Sequence, residues 1–132
     1  MQMRQPWIKF GTDAGGMDPD SARALAHPRT YGTFTRILGH YVRGEQLLPL
    51  EEAVRKMTSQ AATRVGLLDR GVLRPGFFAD ITVFDPATVK DEATFADPHR
   101  HPAGLPYVIV NGHVVVDGPR FTAAPAGRVL PP

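Results

Sequence analysis

The chain has 132 residues, 42% hydrophobic and 21% charged, the balance of one globular domain or of a piece of something larger, not of a charge-rich disordered tail. It contains no cysteine, which excludes disulfide frameworks, thiol nucleophiles and cysteine-ligated zinc. The 15 Lys and Arg exceed the 13 Asp and Glu by 2 and form no aromatic-interleaved cluster, and no apolar run is long enough to span a bilayer, so neither nucleic acid nor membrane is an expected partner.

The N-terminus lacks the apolar core of a signal peptide, and a cytoplasmic location is expected. Trp7 to Asp13 alternates apolar and polar residues before small ones, the pattern of a short strand running into a loop. Glycines, Asp18-Pro19 and His27-Pro28 then predict mostly loop as far as Gly32, with room for a helical turn or two at Ser21 to Ala26. Phe34, Ile37, Leu38, Tyr41 and Val42 share one face of a helix over Thr33 to Arg43, stopped by Gly44. Pro49 to Met57 sets a proline and two acids at one helix end and bases at the other, matching the helix dipole. Ser59 caps a third short helix over Gln60 to Val65, closed by Gly66.

Beyond Leu67 the period falls from near 3.6 to near 2. Ala79 to Phe84 reads as a strand stopped by Pro86. Tyr107 to Val110 and His113 to Val116 flank Asn111-Gly112, the strongest short hairpin signal. The proline- and alanine-rich stretch from Arg120 onward is expected to lie along a surface as a tail. The fold class is α+β, with a thin core and strand edges that favour self-association, so a homo-oligomer is expected if the chain folds alone.

Asp13 is the first chemical candidate. A carboxylate at a strand's C-terminal end, followed by Ala14-Gly15-Gly16, stands where α/β barrels place catalytic groups; it equally suits an Asp that opens a turn. His27 and Arg29 sit in the same glycine-rich region. A cation there suits a substrate carboxylate, or a surface acid. His99 and His101 have chelating spacing, but the flanking Pro98 and Pro102 argue for a solvent-facing loop, and two ligands fall short of the three a catalytic zinc needs. His40 and His113 read as surface residues. No metal ligand is assigned in this chain.

Two groups of residues carry a family resemblance. Gly71-Val72-Leu73-Arg74-Pro75-Gly76-Phe77-Phe78-Ala79-Asp80-Ile81-Thr82-Val83-Phe84-Asp85 resembles the C-terminal signature of the amidohydrolase superfamily, as do the Glu51 to Thr58 helix and the Val110-Asn111-Gly112 hairpin. Phe10-Gly11-Thr12-Asp13, His27-Pro28-Arg29-Thr30-Tyr31-Gly32-Thr33-Phe34 and Ala126 to Leu130 narrow this to the end of the N-acyl-D-amino-acid deacylases.

The resemblance implies the last strand and helices of a zinc-dependent (β/α)8 barrel over residues 1–66, part of a small β-sandwich over 67–118, and an extended tail over 119–132. It implies that Asp13 serves as general base for a metal-bound water and then as acid toward the leaving amine; His27 and Arg29 lie in the family motif without a defined role. The expected function is that of a C-terminal fragment of an enzyme that cleaves N-acyl-D-amino acids to a carboxylate and a free D-amino acid, inactive alone. Zinc belongs to the full-length enzyme and not to this fragment, whose partners would be the remainder of the barrel and sandwich. A fragment of a cyclic-amide hydrolase, dihydroorotase- or hydantoinase-like, and a non-catalytic assembly module are the alternatives.

Overall fold

Pro28 starts the first helix. It has no N–H to leave unsatisfied, and its carbonyl accepts from the amides of Tyr31 and Gly32, so α1 (Arg29–Arg36) begins directly behind it. In the computed structural model, which describes residues 2–16, 26–122 and 125–130, Arg29 is therefore the first helical residue and not part of a loop running to Gly32. Except for Ala26, the helical turn expected at Ser21 to Ala26 lies outside the described residues. The helix continues without a break into a π-helical stretch, Ile37–Gly44, and the glycine ends it as expected.

Helix α2 (Leu50–Met57) has Glu51 and Glu52 in its first turn and Arg55 and Lys56 in its last. Helix α3 (Ser59–Arg64) is preceded by Thr58, so Ser59 is its first residue and not its cap. Its C-terminus closes on Gly66 at φ 80°, where the Leu67 amide donates to Ala62 O (2.9 Å) and the Gly66 amide to Thr63 O (3.2 Å). That pair of bonds is the Schellman motif, and the left-handed conformation it needs is one glycine adopts freely. No helix among the described residues is long and apolar enough to cross a membrane.

The second half forms one antiparallel sheet in the order β1-β2-β3-β4: β1 (Ile81–Val83), β2 (Tyr107–Val110), β3 (His113–Asp117) and β4 (Arg120–Phe121). Asn111 and Gly112 take φ 50° and 83°, the pair of positive values a type I′ hairpin turn requires. A bulge shifts the β2–β3 register between Val108 and Ile109. The stretch after Asp117 is not simply a tail, because the Gly118-Pro119 turn returns Arg120–Phe121 to pair with Asp117 and Val116. Two residues carry too little alternation to announce a strand.

Ile37, Leu38, Leu47, Leu48, Ala53 and Val89 form the buried core, with Phe10, Met57 and Leu105 packed on it. The strand expected from Trp7 is absent: residues 8–16 form no ladder with the described residues. Helix side chains hold the turn that leads into this segment. Lys56, fully buried, donates from Nζ to the carbonyls of Gln5 and Ile8 (3.1 Å to the latter), while Arg55 and Gln60 Nε2 both donate to Pro6 O, at 3.2 and 2.7 Å. Carbonyl groups of an irregular segment have no regular ladder to pair them, and long polar side chains satisfy them here.

Candidate functional site

The end of the held segment and the start of α1 meet at Asp13. Its φ of 50° is left-handed, a conformation that Asp tolerates better than most residues. Arg29 grips it twice: one guanidinium nitrogen lies 2.7 Å from Asp13 Oδ2, and Nε donates to the Asp13 carbonyl at 3.1 Å. The Arg29 backbone amide donates to His27 Nδ1 at 3.1 Å, which leaves the proton of the neutral ring on Nε2. The three sequence candidates, 16 residues apart at their extremes, thus form one chain of contacts. The Asp13 side chain remains 88% exposed, so its carboxylate is open to a ligand.

Beside this trio lies a cavity of about 560 Å³, with His27, Arg29 and Arg36 on one side and Phe10, Ile37 and Phe95 among its apolar walls. Arg36 is paired with Asp91 at 3.1 Å, and the hydrogen bond it donates to that carboxylate raises the pKa of the guanidinium above its ordinary value against the opposing effect of burial. Phe95 comes from the loop after β1. It meets the His27 ring edge to face, centroids 5.0 Å apart. Gly32 permits the approach of that loop, since a Cβ there would stand 2.9 Å from Asp91 Cβ.

His99 and His101 stay apart from this trio. His99 is half-buried rather than solvent-facing, with its Nδ1 3.2 Å from the Tyr31 hydroxyl; His101 is exposed, and its ring stacks edge-on to Tyr31 and tilted on Phe121. The correction has a simple source: Tyr31 lies on α1 and gives the half-turned loop an aromatic surface to rest on. His40 is exposed and pairs with Glu45 at 2.9 Å. Among the described residues no three His, Cys, Asp or Glu side chains gather as a metal site. A second hollow of about 510 Å³, between helices and sheet, is lined mainly by apolar groups such as Leu38, Met57 and Leu105 and gathers none of the candidates.

A polar junction that sequence reasoning missed ties the sheet together. Arg70, 8% exposed, bonds to the Asp80 carboxylate and donates to Asn111 Oδ1 at 2.6 Å, while the Asn111 amide donates to Asp80 Oδ1 at 2.8 Å. Desolvation pushes the Asp80 carboxyl upward, but the Asn111 amide and Arg70 outweigh it and hold it below its ordinary value. Asn111 Nδ2 in turn donates to Ala126 O at 2.6 Å, anchoring the last described segment. Asp80, within the Gly71 to Asp85 signature, thus has a structural purpose here: it clasps the hairpin turn. A charged pair ten residues apart gives no periodic signal, so only the turn at Asn111-Gly112 was legible.

Residues 7–116 match the sequence profile of the amidohydrolase family. The chain is 50% identical over 123 residues to the D-aminoacylase of Alcaligenes xylosoxydans xylosoxydans, covering 93% of this chain and 25% of that protein. A crystal structure of D-aminoacylase superposes with a TM-score of 0.78 at 52% identity, over 80% of this chain and 22% of that one. The N-acyl-D-glutamate deacylase of Bordetella bronchiseptica, solved with zinc and a phosphonate mimic of the tetrahedral intermediate, gives 0.69 at 48% identity, over 72% of this chain and 21% of that one. The chain spans about a quarter of the length of the curated relatives it matches.

Proposed function

This chain belongs to the amidohydrolase family, and we propose that it forms the C-terminal part of an enzyme that hydrolyses N-acyl-D-amino acids to a carboxylate and a free D-amino acid. The observation that carries the reading is the Asp13–Arg29–His27 chain of contacts at the edge of a cavity, within a sequence half identical to a D-aminoacylase. Asp13 acts as the proton-transfer group: it takes a proton from the attacking water and returns it to the leaving amine. A carboxylate does this from within hydrogen-bond reach of both atoms.

Arg29 acts first through Asp13. Its two contacts fix the backbone and the carboxylate of one residue, so one carboxylate oxygen stays aimed outward. Those contacts use Nε and one terminal nitrogen, so the remaining guanidinium donors can take a substrate carboxylate without displacing Asp13, while His27 fixes the Arg29 backbone amide. Zinc, present in the Bordetella relative, is proposed for the longer protein; the described residues of this chain offer no ligand set for it.

Residues 1–66 are proposed as the end of the barrel, with the segment before Asp13 becoming its last strand once neighbouring strands stand beside it. Residues 67–118, with the paired Arg120–Phe121, are proposed as one layer of the sandwich, and the chain beyond Phe121 as its tail. β1 lies at one edge of the sheet, where strands from the remainder of the sandwich have room to pair.

The test is to read the gene in frame upstream of this segment and assay the longer product on N-acetyl-D-leucine and N-acetyl-L-leucine. Cleavage of the D compound, reduced at least about a hundredfold by Asp13→Asn, is expected. Full activity in that variant, or ring opening of cyclic amides in place of linear cleavage, overturns the reading.

A further inference from the structure

Among the described residues, Lys56 is the largest side chain fully closed off from solvent. Burying an amine is costly, and a methionine of similar length would fill the same space without that cost. The nearest carboxylate, Glu52, stands 3.8 Å away and has both oxygens engaged by Arg55 at 2.7 and 2.8 Å. Nζ therefore relies on two backbone carbonyls, Gln5 O and Ile8 O.

Those carbonyls are the two ends of one turn, which the Ile8 amide closes by donating to Gln5 O at 3.2 Å. Lys56 clips the ends, while Arg55 and Gln60 take the middle at Pro6 O. Nζ also lies 5.7 Å from the centre of the Phe10 ring, which packs on the core. Three points just before Asp13 in the chain are thus fixed from within α2. At the far end Asp13 is gripped by Arg29, but both of those side chains are substantially exposed, so the firm hold is the buried one.

Neighbouring strands alone leave one thing unsettled. A ladder repeats along a strand, and a slip of one residue turns every side chain to the opposite face. A fixed point outside the ladder removes that freedom, and setting register is the best-attested use of a buried polar group. A one-residue slip here carries the Ile8 carbonyl away from Nζ and leaves a buried charge short of a partner.

We propose that Lys56 is a positioning residue for Asp13: its buried amine sets the register of the segment before Asp13 and so the place of the Asp13 carboxylate. The consequence for catalysis rests on the deacylase reading.

The test assays the longer gene product on N-acetyl-D-leucine as parent, Lys56→Met, Lys56→Arg and Gly66→Ala. Lys56→Met should lower kcat at least about thirtyfold with KM within about threefold, since a misplacement near 1 Å at a reacting group costs about a hundredfold. Lys56→Arg keeps donors for both carbonyls and should recover most of kcat. Gly66→Ala strains a nearby helix end without touching the turn, and its kcat should equal the parent's, which separates positioning from a general loss of stability.

A second readout needs no turnover: NMR of the Arg29 Nε–H, which donates to the Asp13 carbonyl, in the 132-residue chain. Lys56→Met should move that signal toward the position of a free arginine, and Lys56→Arg should leave it near the parent's. Should Lys56→Met not fold, Gln60→Ala replaces it in both measurements. That variant removes one bond to the same turn, with an expected fall in kcat of about threefold. Full kcat in the folded variant, or an unmoved Arg29 signal, overturns the proposal.

The outcomes also separate the inference from the reading beneath it. Cleavage that depends on Asp13 but not on Lys56 removes the inference and leaves the deacylase intact. A displaced Arg29 signal, with no cleavage of the D compound by the longer product, removes the deacylase and leaves Lys56 as the group that places Asp13.

Discussion

The two halves of the molecule secure their backbones by different means. In the sheet, the hairpin, its turn and the segment at Ala126 are joined by a junction that is complete within the chain: Arg70, Asp80 and Asn111 each meet a partner. In the N-terminal half, residues 8–16 have no ladder with the described residues, and three helix side chains fix the turn that leads into them through the carbonyls of Gln5, Pro6 and Ile8. The sheet has the character of finished structure. The segment carrying Asp13 is held at its base and open at its end, which is where a site needs to be reached.

The sharpest way to break the finished half is Asp80→Asn. It leaves the Arg70 guanidinium buried without a counter-charge, an expected loss of about 3 kcal/mol in urea denaturation. The same carboxylate predicts a pH dependence. Its folded pKa lies below the ordinary 3.8, so the stability it contributes is present above that value and disappears as pH falls through the folded one. Acid unfolding of the parent below about pH 4 should therefore be steeper than that of Asp80→Asn.

Lys56→Met tests the other half. It keeps the apolar stem but strips the donor from the Gln5 and Ile8 carbonyls, an expected cost of about 2 kcal/mol. Hydrogen exchange should quicken first near Ile8 and leave β2 and β3 protected. Equal quickening in both halves would show that they are one cooperative unit, and the contrast between them would fall.

Smaller changes sharpen the comparison. Gly66→Ala meets no atom within 4 Å but forces a left-handed alanine, so thermal unfolding should show a loss of about 1 kcal/mol from backbone strain alone. The smallest effect is expected at the site. A double-mutant cycle of Arg29→Gln with Asp13→Asn should give a coupling below about 1 kcal/mol, because both side chains are substantially exposed. A larger coupling would mean that the pair serves stability more than it serves access.

Local chemistry was legible where one residue type settles one conformation. Asn111-Gly112 announced the hairpin, Gly66 and Gly44 the helix ends, and Pro49 with Glu51 and Glu52 the start of α2. Three features were not, each for a physical reason. A strand exists only with its neighbours, so the alternation after Trp7 was real while the ladder was missing. The π-helical stretch keeps apolar residues on one side much as an α-helix does, and the spacing from Phe34 to Val42 did not distinguish them. Lys56 and Arg70 carry the charge of surface residues and were passed over, although both are buried against groups far away in sequence.

The site was legible as residues but not as an arrangement. Family resemblance marked Asp13, His27 and Arg29 separately, and a surface acid was one expected partner for Arg29. That acid is Asp13 itself. Phe95 gave no signal, since a lone phenylalanine between Thr94 and Ala96 has neither periodicity nor motif.

The hairpin turn has a further consequence, in chemical ageing. An Asn-Gly pair loses ammonia when the glycine amide nitrogen attacks the asparagine side chain, and the product carries a carboxyl group in its place. Here the Gly112 amide is engaged with Ala79 O at 2.9 Å, and the Asn111 side chain is engaged with Arg70 and Ala126. Attack requires all three to let go, so deamidation at Asn111 becomes a clock for opening of the clasp. Once it occurs, a carboxylate stands beside Asp80 where an amide had bridged to Ala126, and reclosure is opposed by like charge. In stored protein, mass spectrometry should find Asn111 intact for as long as the fold holds, and Asp80→Asn should start the clock early.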